Sequence, residues 1–171
     1  SDLEVEQREV QSNLYYIKYK IDDEINYLTI ATTRPETILG DTAVAVNPND
    51  KRYKNYIGKI AIVPIVERKV KIIADKYVSI EQGSGALKVT PAHDFNDFDI
   101  GKRHKLESIN IFDKDGTLNN SAPRNLAGLD RFEARKVIVN LLKESNLLEK
   151  IENIKNSVPY GDRSNSIIEP L

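Results

Sequence analysis

The sequence predicts an α+β domain with a closed or strongly curved sheet. Short aromatic and β-branched runs bounded by Gly, Pro or Asp fill the first two-thirds of the chain, and the one long amphipathic helix comes late. Strands and helices do not alternate regularly, as a doubly wound sheet would require. Leu14–Lys20 and Ile25–Ala31 read as two strands joined through Asp22-Asp23-Glu24, a hairpin. Pro35 suits the first position of a single helical turn. Lys59–Val66 and Lys69–Ala74 repeat the strand pattern, with Pro64 marking an edge or bulge because proline cannot donate to a ladder. Tyr77–Ile80, Ala86–Thr90 and Ile109–Phe112 are three further short apolar runs. A short helix is expected from Asp94 to about His104. The main helix runs from about Arg131 to Ser145, where Ala134, Val137, Ile138, Leu141 and Leu142 share one face and Asp130 with Glu133 resembles a capping box.

At 171 residues, 40% hydrophobic and 30% charged, the chain has the size and balance of one globular domain rather than a disordered or fibrous one. Lys and Arg total 25 against 26 acids, so no broad positive field exists to hold nucleic acid by charge alone, and any such contact must be local. The absence of Cys excludes disulfides, thiolate metal sites and cysteine nucleophiles. No apolar h-region opens the chain and no apolar run approaches membrane-spanning length, which predicts a soluble, cytoplasmic protein. There is no Met, even at position 1, and the chain stops at Pro170-Leu171 just after Ile167-Ile168. These features read as a piece excised from a longer protein.

Two segments carry chemistry. ATTRPETILGD (31–41) sets Thr32, Thr33, Thr37, Arg34 and Glu36 at a strand end, a common place for a ligand. Thr33-x-x-Glu36 also fits a capping box, and the density of hydroxyls with a guanidinium held before Pro35 exceeds what capping needs. GSGALKVTPAHDFND (83–97) has a Gly-x-Gly turn, then Lys88 and Thr90 on one side of a strand, then Asp94 and Asp97 three apart on one helix face. The four could converge on one small polar ligand; equally, Asp94 could be an N-cap and Lys88 a ladder residue.

Three other readings fail on spacing. GSGALK lacks the four residues between glycines and the Ser/Thr after Gly-Lys of a P-loop. His93, Asp94, Asp97 and His104 offer only two His, and adjacent His93 and Asp94 point apart, which argues against a metal site. INIFDKDGTLN (109–119) imitates the DxDGT motif of haloacid-dehalogenase-like phosphatases through Asp113 and Asp115. That family needs a doubly wound sheet, a downstream Lys and a pair of acids for magnesium; only about fifty residues follow, Gly161-Asp162-Arg163-Ser164-Asn165-Ser166 lacks the second acid of the expected GDxxxD, and Asp-Gly reads as a turn.

Taken in order, ATTRPETILGDTAVAVNPND, IGKIAIVPIV, IADKYV, GSGALKVTPAHDFNDFDIGKRH, INIFDKDGTLN, AGLDRFEARK and SVPYGDRSNSIIEPL resemble, over nearly the whole chain, the editing domains inserted in class I aminoacyl-tRNA synthetases of the valyl, isoleucyl and leucyl group. PAHDxNDF followed by GKRH, and NIFDxDGT, resemble the valyl branch; an isoleucyl or leucyl type is the alternative. The resemblance implies a β-barrel-like α+β domain with peripheral helices, residues 1–171 forming one unit whose ends return toward an absent Rossmann catalytic domain. Neither an HIGH-like nor a KMSKS-like signature occurs, so ATP would serve only that absent domain and no cofactor is implied.

The implied activity is hydrolysis of threonine mischarged onto tRNA(Val), with threonyl-adenylate as a second substrate. A hydrophobic pocket cannot strongly reject an isostere that merely adds a hydroxyl, and the valyl enzyme facing threonine is the standing example of that rule. By motif position, Asp97 matches the acid that holds the α-ammonium. Thr32, Thr33 and Thr37 match the threonine-rich wall near the ester, and Arg34 a residue on the nucleotide side. Lys88, Thr90 and Asp94 suit recognition of the substrate hydroxyl. The family's sites use neither a covalent nucleophile nor a metal, so positioning is the chief contribution. At Gln82 some members carry an aromatic residue that stacks on the terminal adenine, which glutamine cannot do equivalently. His93 is expected to make a structural hydrogen bond. The expected partners are the 3′ aminoacyl end of tRNA(Val), its threonine moiety and the rest of the parent synthetase, in a monomer without membrane contact. A docking module for the tRNA 3′ end without catalysis is the competing class.

Overall fold

The computed structural model describes residues 5–22 and 24–161, with side chains described for 12–22 and 24–155. The apolar pair Ile167-Ile168, the ending Pro170-Leu171 and Asp23 of the expected turn lie outside these residues. In chain order the elements are β1 (Val5–Ile21), β2 (Tyr27–Thr32), a 3₁₀ turn (Pro35–Gly40), β3 (Ala43–Val46), β4 (Ile60–Ile62), β5 (Lys69–Ala74), β6 (Ala86–Val89), α1 (Phe95–His104), α2 (Arg131–Glu144) and β7 (Leu148–Gly161).

The long strand β1 organises the sheet. β2 folds back on it as an antiparallel hairpin, Tyr15 opposite Thr32 through Lys20 opposite Tyr27. β7 runs antiparallel from Val5 opposite Gly161 to Ile17 opposite Leu148, with a register shift at Tyr16/Ile17. β4 then takes over at Lys20 and Ile21. From there the order is β2-β1-β4-β5-β3-β6, antiparallel except for the β3–β5 pair. The two ends of that path, β2 and β6, lie against each other and nearly close a barrel, the α+β, barrel-like architecture expected.

The core follows from side-chain period. Ile17, Tyr19 and Ile21 alternate inward along β1 and are fully buried, as are Leu28 and Ile30 of β2. All four residues of β3 are buried because both of its faces are covered. Val44 and Val46 join the main core, which includes Ile138 and Leu142 of α2, while Ala43 and Ala45 join Val78, Val89 and Ile100 in a smaller cluster that seats α1. Each fully buried Ile or Leu contributes about 1.5–3 kcal/mol.

Several expectations are corrected. β3 and β7 were not anticipated: AVAV shows no alternation, and Leu148, Ile151 and Ile154 are spaced by three, not two. Tyr77–Ile80 is no strand, because Asp75 captures the Tyr77 N–H with its side chain (2.9 Å) and the Val78 N–H with its carbonyl (3.2 Å), making a turn. Ile109–Phe112 contributes only one bridge, Phe112 to Leu118. The run at Lys59–Val66 shortens to β4 because Pro64 opens a tight loop in which Ile65 and Glu67 adopt positive φ (70° and 55°). Thr33 and Glu36 form no capping box: Arg34 is the N-cap, without a side-chain bond. Asp130 does cap α2, accepting the Phe132 N–H at 2.9 Å, but Glu133 turns to Lys136.

Candidate active site

Three segments meet at the barrel mouth: the end of β2 with the 3₁₀ turn, the end of β6, and the first turn of α1. Between them lies a pocket of about 100 Å³. Thr32, Thr33, Arg34 and Thr37 line it from the first segment, Lys88 and Thr90 from the second, Asp94 and Asp97 from the third. Gln82 stands outside this group. It lies at the rim of an adjoining cleft of about 680 Å³ that shares Ala31, Thr33 and Leu87 with the pocket. The Gly-x-Gly turn forms one wall of that cleft. Gly85 has φ +82°, and a Cβ there would meet the Ile80 carbonyl at 3.0 Å, so the turn demands glycine.

Lys88 and Thr90, two apart on the strand, point to the same side and are 5% and 1% exposed. A buried ammonium must be paired. Lys88 Nζ donates to Thr37 Oγ1 at 2.7 Å and to Thr90 Oγ1, and sits 2.9 Å from Asp41 Oδ1. Asp41, fully buried, also accepts from Thr90 Oγ1 at 2.6 Å and from the Tyr19 hydroxyl at 2.5 Å. Neither Asp41 nor Tyr19 was singled out from sequence. The usable signal was present, since a lysine pointing inward from a strand needs a carboxylate and Asp41 closes the ATTRPETILGD segment. Burial pushes the Asp41 carboxyl up despite Lys88, Thr90 and Tyr19, and burial beside Asp41 pushes the Tyr19 phenol well up.

Asp94 is the N-cap of α1, accepting the N–H groups of Asn96 (2.9 Å) and Asp97 (3.0 Å), and still lines the pocket. Asp97, 6% exposed, reaches back to accept the Thr90 N–H at 2.9 Å. Its carboxyl is pushed up to about 7, first by burial and then by Asp94 and Asp41, with Lys88 and the Thr90 N–H opposing. A buried carboxyl poised near neutrality in a concave site is a functional signature.

The TTRPET segment is held from two sides. Thr32 Oγ1 accepts the Arg34 N–H (3.0 Å), Thr37 Oγ1 donates to the Arg34 carbonyl (2.8 Å), and the Arg34 guanidinium donates to the His93 carbonyl (3.0 Å). Arg135 of α2 grips the buried Glu36 carboxylate in bidentate fashion at 2.7 and 2.8 Å. His93 also lines the pocket and makes the expected hydrogen bond: its Nε2 accepts the Ile111 N–H at 2.9 Å, and its ring meets Phe112 edge-on at 4.9 Å. His104 pairs with Asp75 at 2.9 Å, so the four residues weighed as metal ligands do not converge. Asp113 and Asp115 belong to a turn closed by Gly116 N–H to Asp113 (3.0 Å), with Asp115 accepting from Thr117.

Comparison with known proteins bears on the fold and the family. A family model described as "Leucyl-tRNA synthetase, editing domain" matches residues 51–155. The chain is 62% identical over 171 residues to the valine–tRNA ligase of Pelagibacter ubique, and 55% identical over 170 residues to that of Staphylococcus haemolyticus. These alignments cover 100% and 99% of this chain but 20% and 19% of those ligases, so the chain spans about a fifth of the length of the curated relatives it matches. Among solved structures, the LeuRS of Agrobacterium radiobacter K84 in a ternary LeuRS-tRNA-LeuAMS complex superposes with a TM-score of 0.64 at 16% identity, over 87% of this chain and 20% of that one. GlLeuRS-CP1 superposes with a TM-score of 0.63 at 13% identity, over 80% of this chain and 96% of that one. The fold is therefore shared with LeuRS editing domains, the higher identities lie with valine–tRNA ligases, and the chain belongs to the aminoacyl-tRNA synthetase editing-domain family, in its valyl-tRNA synthetase branch.

Proposed function

We propose that the pocket hydrolyses the ester joining threonine to the 3′ end of tRNA(Val). The observation that carries this reading is the buried Asp97 carboxyl set beside a wall of Thr37, Thr90 and Lys88 in a cavity on the scale of one small amino-acid side chain. Asp97 takes the α-ammonium in a charge-assisted bond and thereby fixes the ester carbonyl. The wall of hydroxyls reads the threonine Oγ. Thr33, shared by pocket and cleft, and the neighbouring Thr32 hold the ester region, Arg34 the nucleotide side, and the larger cleft with Gln82 at its rim the terminal adenosine.

Water attacks the ester carbonyl carbon, the bond from that carbon to the ribose oxygen breaks, and the ribose oxygen takes up a proton, releasing threonine and intact tRNA. The protein's contribution is to hold ester and water in a near-attack geometry. The pairing of Val5 with Gly161 brings the ends of the described chain together, which supports an insertion hung on a larger synthetase. With a net charge of −1, most of the grip on tRNA is assigned to that remainder.

The test is deacylation of threonyl-tRNA(Val) and valyl-tRNA(Val), in excess chelator, by this chain and by the full synthetase carrying it, with Asp97→Ala alongside. Selective release of threonine that Asp97→Ala abolishes is the expected result. Equal rates on both esters, or none with either protein, overturn the assignment.

A further inference from the structure

The protons of Lys88, Thr37 and Thr90 already have a direction. An ammonium has three N–H donors, and Lys88 spends them on Thr37 Oγ1, Thr90 Oγ1 and Asp41 Oδ1. The Thr37 hydroxyl passes its own proton to the Arg34 carbonyl at 2.8 Å. The Thr90 hydroxyl passes its proton to Asp41 Oδ1 at 2.6 Å. The other oxygen of Asp41 is occupied by the Tyr19 hydroxyl at 2.5 Å, so the carboxylate stays pointed at Thr90 and Lys88. Each threonine oxygen thus donates away from the cavity and receives one N–H from Lys88, and its second lone pair is left for the pocket both threonines line.

We infer that Asp41 is a positioning residue for specificity: by drawing the Thr90 proton inward and balancing Lys88, it makes the wall an acceptor surface that a substrate must meet with an O–H donor. The inference rests on the proposed function and deepens it. Asp41 touches no substrate. The ligand class it selects is a small β-hydroxy amino acid esterified to tRNA, because an aliphatic side chain of the same shape leaves the acceptors unpaired. Without the carboxylate, the Thr90 hydroxyl keeps only the Thr37 carbonyl, a long 3.4 Å away, as an inward acceptor, and its proton can turn into the pocket. The wall then becomes mixed, and a donor on the substrate no longer distinguishes it from a methyl group.

Asp41→Leu keeps much of the volume and removes both the charge and the acceptor of the Thr90 proton. In the full synthetase carrying this domain, the ratio of kcat/KM for threonyl-tRNA(Val) over valyl-tRNA(Val) deacylation is expected to fall about tenfold or more, with the valyl rate unchanged. A parallel fall for both esters, or a ratio that stays put, overturns the inference while leaving the editing assignment intact. Should Asp41→Leu fail to fold by circular dichroism, Tyr19→Phe decides: it releases one oxygen of Asp41 without altering charge, and a severalfold fall in the same ratio is expected, no change being the overturning result. If the unmodified synthetase releases no threonine, the functional reading itself falls and this inference falls with it.

Discussion

Asp97 and Thr90 are joined by a 2.9 Å bond from the strand's backbone N–H to the helix's carboxylate. The charge that would meet a substrate ammonium is therefore fixed by the same residue whose hydroxyl belongs to the pocket wall. The end of β6 and the start of α1 are thereby tied together, and the position of α1 is further set by Gly101, where a Cβ would stand 3.0 Å from Pro91.

The Asp97 carboxyl near 7 has consequences for both activity and stability. Holding an ammonium requires the carboxylate, so kcat/KM for threonyl-tRNA should rise with pH through about 7. Stability runs the other way. The folded value lies above the unfolded one of about 3.9, so the native state binds more protons between the two. The contribution of neutral Asp97 is fully present below about pH 4 and is lost as pH rises through about 7. Asp97→Asn should accordingly abolish threonyl-ester hydrolysis yet raise Tm by several degrees at pH 8, with the gain disappearing below pH 4. Thermal scans at the two pH values check this.

Lys88 and Asp41 form a buried pair, and removing one partner strands the other. Lys88→Met is expected to cost about 3 kcal/mol, the low end for such breaks, because the orphaned Asp41 carboxyl takes up a proton; the cost should grow as pH rises. Lys88→Met with Asp41→Leu should recover most of the stability and none of the selectivity for threonine. Urea unfolding of the single and double variants, beside their deacylation rates, separates the two effects.

What could be read in the sequence was local. Lys88 and Thr90 share a side because strands have period two, Asp94 and Asp97 share a face because helices bring i and i+3 together, and Asp94 caps because Asp suits an N-cap. These rules, together with the motif resemblance, gathered the polar residues of the pocket, while Gln82, named with them, lies on the adjoining cleft. The long-range partners were not readable: Asp41 meets Thr90 across 49 residues and Glu36 meets Arg135 across 99. In the same way, β7 is a strand because β1 offers it an edge, and its own residues carry charges at a spacing that no strand rule selects.

Arg135 ties α2 to the TTRPET turn through Glu36, whose side chain has no exposed surface. Arg135→Ala leaves that carboxylate without its bidentate partner. Arg34, 3.9 Å away, compensates in part, so a loss of about 3 kcal/mol is expected rather than the upper end of about 5 for broken buried pairs. Because Glu36 and Thr37 are consecutive, deacylation of threonyl-tRNA should also slow. Glu36→Gln with Arg135→Met, which removes both charges, should restore stability more than rate. Unfolding curves and single-turnover deacylation of the three proteins provide the check.

Gly40 offers a way to move Thr90 without touching its chemistry. It ends the 3₁₀ turn, and a Cβ built there would stand 3.1 Å from the Ile109 carbonyl and 3.2 Å from Thr90 Cγ2. Both contacts are tighter than ordinary packing, and the carbonyl belongs to backbone, so Thr90 is the group that yields. A shift of a few tenths of an ångström would lengthen its bonds to Lys88 and Asp41 and carry the Asp97 carboxylate with it through the Thr90 N–H. Overpacking of one methyl group costs about 1–3 kcal/mol, which leaves the domain folded. Misplacement of about 1 Å can cost a hundredfold in rate. Gly40→Ala should therefore lower kcat for threonyl-tRNA deacylation severalfold at a temperature where circular dichroism shows the variant fully folded. An unchanged kcat under those conditions would mean that the placement of Thr90 does not govern the reaction.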